Sequence, residues 1–306
     1  MYHIIVNPVS RSGRGMKIWK EVVEPAFQKD GAVYQAYFSQ KAGDVAKLAA
    51  QITAAEEDCT LIILGGDGTF NEALQGIQDF SKVTLGYIPT GSSNDLARDL
   101  EVSKDPAQAV AQILHHGKIH TMDMGTVTYQ DGTIRHFAVS CGIGFDAAVC
   151  EEAMNSQIKD FCNKIGLGKL TYLGIALKQL FTAKSVGCDI TLRDKRTIHI
   201  NRILFTACMN HRFEGGGFKF CPQAKDDDGI LNLCVVGDVP KPVVLLALPT
   251  AFWGKHYMVN GITAYASDTI HIRTTAPLWV HTDGEVTRKS DDFHVTCHKK
   301  ALRLIL

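Results

Sequence analysis

The stretch Thr60-Leu61-Ile62-Ile63-Leu64-Gly65-Gly66-Asp67-Gly68-Thr69-Phe70-Asn71-Glu72 decides the fold class. Its first half runs without polar–apolar alternation, which is how a parallel strand buried on both faces reads. The glycines end that strand, and Thr69 to about Ile77 reads as a helix. Glycine lets backbone N–H groups come close to an anion, and a helix N-terminus favours phosphate. The Gly-Lys-Ser/Thr ending of a P-loop is missing. Taken alone, these residues fit equally a tight turn in which Asp67 merely caps the helix.

The same order, strand then helix, extends outward on both sides. Upstream are a strand at Tyr2–Asn7, a helix at about Met16–Lys29 stopped by Gly31, a strand at Val33–Phe38 and a helix over Ala42–Ala55. Downstream, a strand at Thr84–Ile88 meets Pro89, and helices follow near Asn94–Leu100 and Pro106–His116. This alternation predicts a doubly wound parallel sheet. Two further loops resemble the glycine loop in character. One is Pro89-Thr90-Gly91-Ser92-Ser93-Asn94-Asp95, and the other Asn7-Pro8-Val9-Ser10-Arg11-Ser12-Gly13-Arg14-Gly15. Each follows a strand, so all three would meet at the carboxyl edge, where such sheets bind ligands. Together they read as a nucleotide site.

Beyond about Gly125 the texture changes to short period-2 runs. They fall at Ile134–Ser140, Cys188–Leu192, Thr197–Ile200, Ile203–Cys208, Ile230–Val236, Thr269–Arg273, Leu278–His281 and Phe293–Cys297. Helical patterns interrupt them at about Ala147–Ile158, Lys169–Ala183 and Lys241–Trp253. The pattern predicts an antiparallel sandwich or barrel-like second domain, with a short hinge near Asp123–Thr126.

Composition narrows the function. A chain of 306 residues suits two domains better than one. Its 32 Lys+Arg balance 32 Asp+Glu, so the basic excess that nucleic-acid binding needs is absent. The longest apolar run, Val243–Trp253, is broken by Pro249 and is far shorter than the roughly 20 residues of a membrane span. Without a secretory signal pattern at the N-terminus, a cytoplasmic chain is expected. The nine cysteines are scattered without a C-x-x-C pair, which predicts reduced and mostly buried thiols. Neither His115–His116 nor Cys297–His298 has partners at metal spacing in the sequence.

The ordered set Asn7-Pro8 with Ser12-Gly13, Gly65-Gly66-Asp67-Gly68-Thr69 with Asn71-Glu72, Gly91-Ser92 with Asn94-Asp95, Pro222-Gln223-Ala224 with Asp228-Gly229, and Asp283-Gly284-Glu285 resembles the diacylglycerol kinase catalytic family, in particular its bacterial soluble lipid kinases. The likeness runs in order from residue 1 to about 300. It implies a nucleotide-binding kinase domain (1–124, with the final strand 299–306) of Rossmann-like, NAD kinase-like build. It also implies a β-sandwich lipid domain (125–298), with the site in the cleft between them. The glycine loop would hold the phosphates of ATP, with Asn7–Gly13, Ser39 and Ser92 near the nucleotide. Asp283-Gly284-Glu285, after the apolar run Leu278–Val280, would set two carboxylates on one face of a strand, or alone reads as a D-G turn; in the family Glu285 is the general base and Asp283 supports it. Phosphoryl transfer to a hydroxyl asks for such a base. Asp67 would act with Mg2+ on the phosphates. The run Lys225-Asp226-Asp227-Asp228-Gly229 alone reads as a solvated acidic loop. In the family a structural Mg2+ sits here, held by Asp228 and the carbonyls of Lys225 and Ile230, although Asp226 departs from the usual apolar residue. Arg14 and Lys164 are basic candidates for assisting phosphate. The implied activity is ATP-dependent phosphorylation of a lipid hydroxyl, diacylglycerol first, with sphingoid bases or phosphatidylglycerol as other acceptors. An NAD kinase-like small-molecule kinase is the alternative. The implied partners are a lipid at the membrane surface, met through peripheral docking, and a homodimer, which is common in the family. Phe252-Trp253-Gly254-Lys255-His256-Tyr257 offers aromatic anchors and a cation for docking.

Overall fold

The apolar run before the glycines is a strand. β3 (Cys59–Gly65) lies parallel between β1 (Tyr2–Val6) and β4 (Val83–Pro89), and β2 (Tyr34–Phe38) flanks β1. The computed structural model describes residues 1–155, 168–183 and 186–306. One unit comprises Met1–Met124, Asp226–Gly229 and His298–Leu306; the other comprises Gly125–Lys225 and Ile230–Cys297.

In the first unit, Ile4, Ile5 and Leu61–Leu64 are wholly buried, so both faces of the sheet are covered. On one face Ile4, Val6, Ile62 and Leu64 pack with Trp19, Val23 and Phe27. These come from a helical run built of α1 (Ser10–Ile18), a π-helical turn at Trp19–Val23 and α2 (Glu24–Asp30). α3 (Asp44–Ala55) and α4 (Asp67–Gly76) pack on each other and on β3. Burying each large apolar side chain contributes about 1.5–3 kcal/mol, which holds this run on the sheet although Arg11, Ser12 and Gly13 break the helix within α1. α5 (Asp95–Asp99) and α6 (Pro106–Ala111) follow β4. This is the doubly wound α/β domain expected.

The second unit is antiparallel. β7 (Ser140–Gly144) follows the short β6 (Ile134–Phe137), and α7 (Phe145–Asn155) and α8 (Gly168–Thr182) come next. β8 (Val186–Leu192), β9 (Thr197–Met209), β10 (Leu231–Gly237), α9 (Lys241–Ala247), β11 (Ile262–Ser267) and β12 (Thr269–Thr282) complete it. The strand order runs β11-β10-β9-β7-β12, and β8 bridges the far ends of β9 and β12. One core holds Phe137, Ile190, Leu233, Ile272 and Phe293; a second, including Phe145, Phe205, Met209 and Val244, lies under the helices. This is the β-sandwich expected.

Three expectations change. The pairs of short strands read at Thr197–Ile200 with Ile203–Cys208, and at Thr269–Arg273 with Leu278–His281, are single long strands with register shifts. The bulges interrupt the polar–apolar period without ending the pairing. The two units divide between Met124 and Gly125, within the expected Asp123–Thr126, but that stretch lies inside a strand, β5 (Ile119–Tyr129), rather than in a loop. The last strand, β13 (Glu285–Ile305), pairs Arg303 and Leu304 in parallel with Thr84 and Leu85 of β4. Lys164 and the far end of the helix read to Ile158 lie outside the described residues. Among the described residues no helix is long and apolar enough to cross a membrane.

Candidate functional site

In the first unit the register aligns Val6 with Leu64 and Gly65 with Pro89, so three strands end side by side. Their loops are then tied together. Asn7 Nδ2 donates to Thr69 Oγ1 at 2.9 Å, Ser10 and Thr90 hydroxyls meet at 2.8 Å, and the Thr90 N–H donates to Gly65 O at 2.7 Å. Gly66 and Gly91 touch backbone to backbone. A Cβ on Gly66 would stand 3.0 Å from Gly91 Cα, and one on Gly91 would stand 2.6 Å from Gly66 Cα. No side chain caps the N-terminus of α4. The Asp67 carboxylate accepts the Asp95 N–H at 3.0 Å, with the Tyr87 hydroxyl 3.4 Å from its other oxygen. Asp67 is thereby aimed by the third loop.

The remaining residues of the nucleotide reading divide. Arg11, Ser12 and Gly13 hold successive left-handed conformations (φ 46°, 59° and 91°) on an exposed loop that also carries Arg14. Ser92 is exposed, Asn94 Nδ2 donates to Gly91 O at 3.0 Å, and Asp95 holds Arg98 at 2.6 Å. Ser39 sits where β2 ends, its N–H on Val6 O. Asn7 Oδ1 is buried without a hydrogen-bond partner, an acceptor placed among the loops. Asn71 and Glu72 belong elsewhere: Asn71 is fully buried, and Glu72 Oε1 accepts the Val45 N–H at 3.1 Å in the first turn of α3. They brace the helix that carries the glycine loop rather than reaching into it.

The acidic loop is anchored by a residue the sequence reading missed. Asp123, with no exposed surface, accepts the Gly229 N–H at 2.5 Å and the Lys300 N–H at 2.7 Å. Asp226 pairs with His120 at 2.5 Å. Lys225 and Asp228 are exposed and Ile230 is half-buried. Carboxylate and carbonyl oxygens are the hard donors that Mg2+ takes, so the donor chemistry of this loop fits that ion.

In the second unit Asp283 and Gly284 (φ 51° and 84°) form the two-residue turn joining β12 to β13, with Thr282 paired to Glu285. Asp283 and Glu285 therefore do not share the face of one strand. Positive φ at both positions is what a tight hairpin needs, and the Asp-Gly pair supplies it. The Asp283 carboxylate accepts the N–H groups of Ala138, Val139 and Ser140 at 2.8–3.0 Å. It fixes the turn that leads into Glu285 at the start of β13. Beneath the turn, His281 is wholly buried, its Nε2 3.2 Å from both Asp146 and Glu214. Burial disfavours its charge, but the Glu214 and Asp146 carboxylates outweigh burial and lift its pKa to about 9. The Gly284 N–H approaches Nδ1 at 3.2 Å, and Ser140 Oγ donates to Glu214 at 2.8 Å.

The signal for His281 was available, since it stands two residues before Asp283 on one strand. Its partners Asp146 and Glu214 are joined to it only by the fold. A cross-strand group also appears. His271 and His294 stack at 4.0 Å beside Asp292, but that carboxylate already binds Arg273 at 3.0 Å and His271 at 2.7 Å. It reads as an ion-pair network. Every described cysteine is free, and burial pushes the thiols of Cys59, Cys188 and Cys234 up to between about 11 and about 12.

Comparison with known proteins places this geometry. Residues 1–127 match the model of the diacylglycerol kinase catalytic domain, and residues 139–306 that of the YegS C-terminal NAD kinase beta sandwich-like domain. The chain is 28% identical to "Putative lipid kinase YtlR" of Bacillus subtilis over 93% of both chains. It is 25% identical to a diacylglycerol kinase of Mycobacterium tuberculosis, over 92% of this chain and 87% of that one. A crystal structure titled as a "putative diacylglycerol kinase" from Bacillus anthracis superposes with a TM-score of 0.76 at 22% identity, covering 99% of this chain and 96% of that one; it shares the fold. With both domain models matched in order along the chain, the protein belongs to the diacylglycerol kinase catalytic-domain family and is a lipid kinase.

Proposed function

We propose that this lipid kinase transfers the γ-phosphate of ATP to the free hydroxyl of diacylglycerol, giving phosphatidic acid. The observation that carries the reading is the split within the Asp-Gly-Glu motif: Asp283 is taken up by three backbone N–H groups, while Glu285 follows the rigid turn. In the step, the lipid O–H bond breaks as its oxygen bonds to the γ-phosphorus. The proton passes to Glu285, and the bond to the β-phosphate oxygen breaks to release ADP. The nucleotide is assigned to the loops of the first unit. Gly65, Gly66, Gly68, Thr69, Gly91, Ser92, Asn7, Pro8, Ser12, Gly13, Ser39, Asn94 and Asp95 would surround it, with Asn71 and Glu72 supporting from behind. Asp67 would hold Mg2+, whose charge offsets that of the phosphates. A structural Mg2+ at Asp228, Lys225 and Ile230 would stiffen the acidic loop. The acceptor is favoured because relatives that match along nearly the whole chain are named diacylglycerol kinases.

The test is transfer of label from γ-labelled ATP across a panel of diacylglycerol, a sphingoid base, phosphatidylglycerol and NAD. Diacylglycerol should be the best acceptor and NAD inert. Labelling of NAD alone would replace this reading with the small-molecule kinase one.

A further inference from the structure

The segment read as a docking aromatic cluster splits in the structure. His256 is buried, with Nε2 3.1 Å from Phe220 O, and the Tyr257 hydroxyl donates to the same carbonyl at 2.6 Å. Those two side chains anchor the segment from beneath. Phe252 stacks on Phe218 at 4.2 Å, and the Lys219 N–H donates to Ala251 O at 2.8 Å, so the backbone between them is held in place. What projects outward is apolar: Leu246 (76% exposed), Trp253 (71%) and Met258 (85%), with Val243 and Phe252 partly exposed. α9 runs directly into the 3-10 turn Leu248–Trp253, so Val243, Leu246 and Trp253 fall at i, i+3 and i+10 along one helical stretch. That spacing sets them on one side.

The charge around them selects the occupant. From Val239 to Ser267 no acidic residue occurs; of its two lysines, Lys241 donates to the carbonyls of Phe181 and Ala183, while Lys255 is exposed, two residues after Trp253. Tryptophan, leucine and methionine beside lysine and without acids suit a surface whose first layer is anionic headgroup and whose second is hydrocarbon. We infer that the outward face of Lys241–Met258 is the surface by which this kinase lies on an anionic phospholipid bilayer, Trp253, Leu246 and Met258 entering the headgroup boundary and Lys255 meeting lipid phosphate. This rests on the lipid-kinase reading and deepens it, since a bilayer-resident acceptor must be reached from the water side.

The experiment uses the full chain and phosphatidylcholine vesicles, with or without phosphatidylglycerol and free of diacylglycerol, so no turnover is involved. Flotation should recover the protein with the anionic vesicles, and tryptophan emission should shift to the blue; Trp19 is buried and Trp279 is half-buried under Lys289, so the shift should vanish in Trp253→Phe. A Leu246→Ser, Trp253→Ser double variant should bind at least about tenfold more weakly. Lys255→Glu should lose about fivefold or more on anionic vesicles alone. Phosphorylation of a short-chain diacylglycerol dissolved as monomer should be unchanged in the double variant, which separates lost docking from lost catalysis or folding. Undiminished vesicle binding by the double variant overturns the proposal. So does a wild-type dimer in solution that the same substitutions dissociate, because the face would then be covered by a second copy.

Discussion

Asp283 and Glu285 stand two residues apart, and the proposed reaction gives them different work. Asp283 spends its carboxylate on three backbone N–H groups, one of them on the fully buried Ser140. Asp283→Asn keeps one acceptor oxygen and turns the other into a donor facing donors. It should cost about 1–3 kcal/mol in urea unfolding, and an unchanged unfolding midpoint would contradict the anchoring role. His281 gives a pH prediction. Its folded pKa, about 9, lies above the ordinary histidine value of 6.5. The stability it adds is thus fully present below about 6.5 and lost as pH rises through about 9. The stability gap between wild type and His281→Gln should narrow across that window. A gap that stays constant would mean the imidazole is neutral throughout.

At the scale of elements, the tether at Asp123 joins the middle of β5, the acidic loop and Lys300 near the end of β13. Asp123→Ala would leave the Gly229 and Lys300 N–H groups without their acceptor. Stability should fall by about 1–3 kcal/mol, and trypsin should cut faster after the exposed Lys225. An unaltered digestion rate would show that the loop is held otherwise. Magnesium belongs to the same loop: Asp228→Ala should lower the Tm and abolish its rise on adding Mg2+. A retained rise would place the ion elsewhere. These elements also show what sequence could carry. β3 was legible because a strand covered on both faces leaves an uninterrupted apolar run, and the glycine loop because close backbone approach admits little else. β5 was not legible, because Asp123 within it is polar for the sake of partners more than a hundred residues away. The bulges of β9 and β12 hid continuity in the same way, since pairing across strands, not local pattern, keeps a bulged strand whole.

For the whole molecule, the proposed reaction is divided between two units, nucleotide on the first and proton removal on the second. The α/β class and a β-rich second domain were legible from periodicity and the sandwich from the resemblance, while the anchoring contacts of Asp123 and Asp283 join residues distant in sequence and were not legible. Gly66→Ala places a methyl 3.0 Å from Gly91 Cα. It should weaken ATP binding, read as a raised Kd for ATP, because the two loops must part before phosphate can enter. The most direct measurement is the turnover of Glu285→Gln with saturating diacylglycerol and ATP, alongside its Kd for ATP. Glutamine keeps the size of the side chain and removes its basicity, and general-base catalysis contributes roughly 10²–10⁴-fold. The account predicts kcat lower by about that factor, equivalent to about 3–5 kcal/mol of barrier, with ATP affinity unchanged. Wild-type turnover in Glu285→Gln would contradict it.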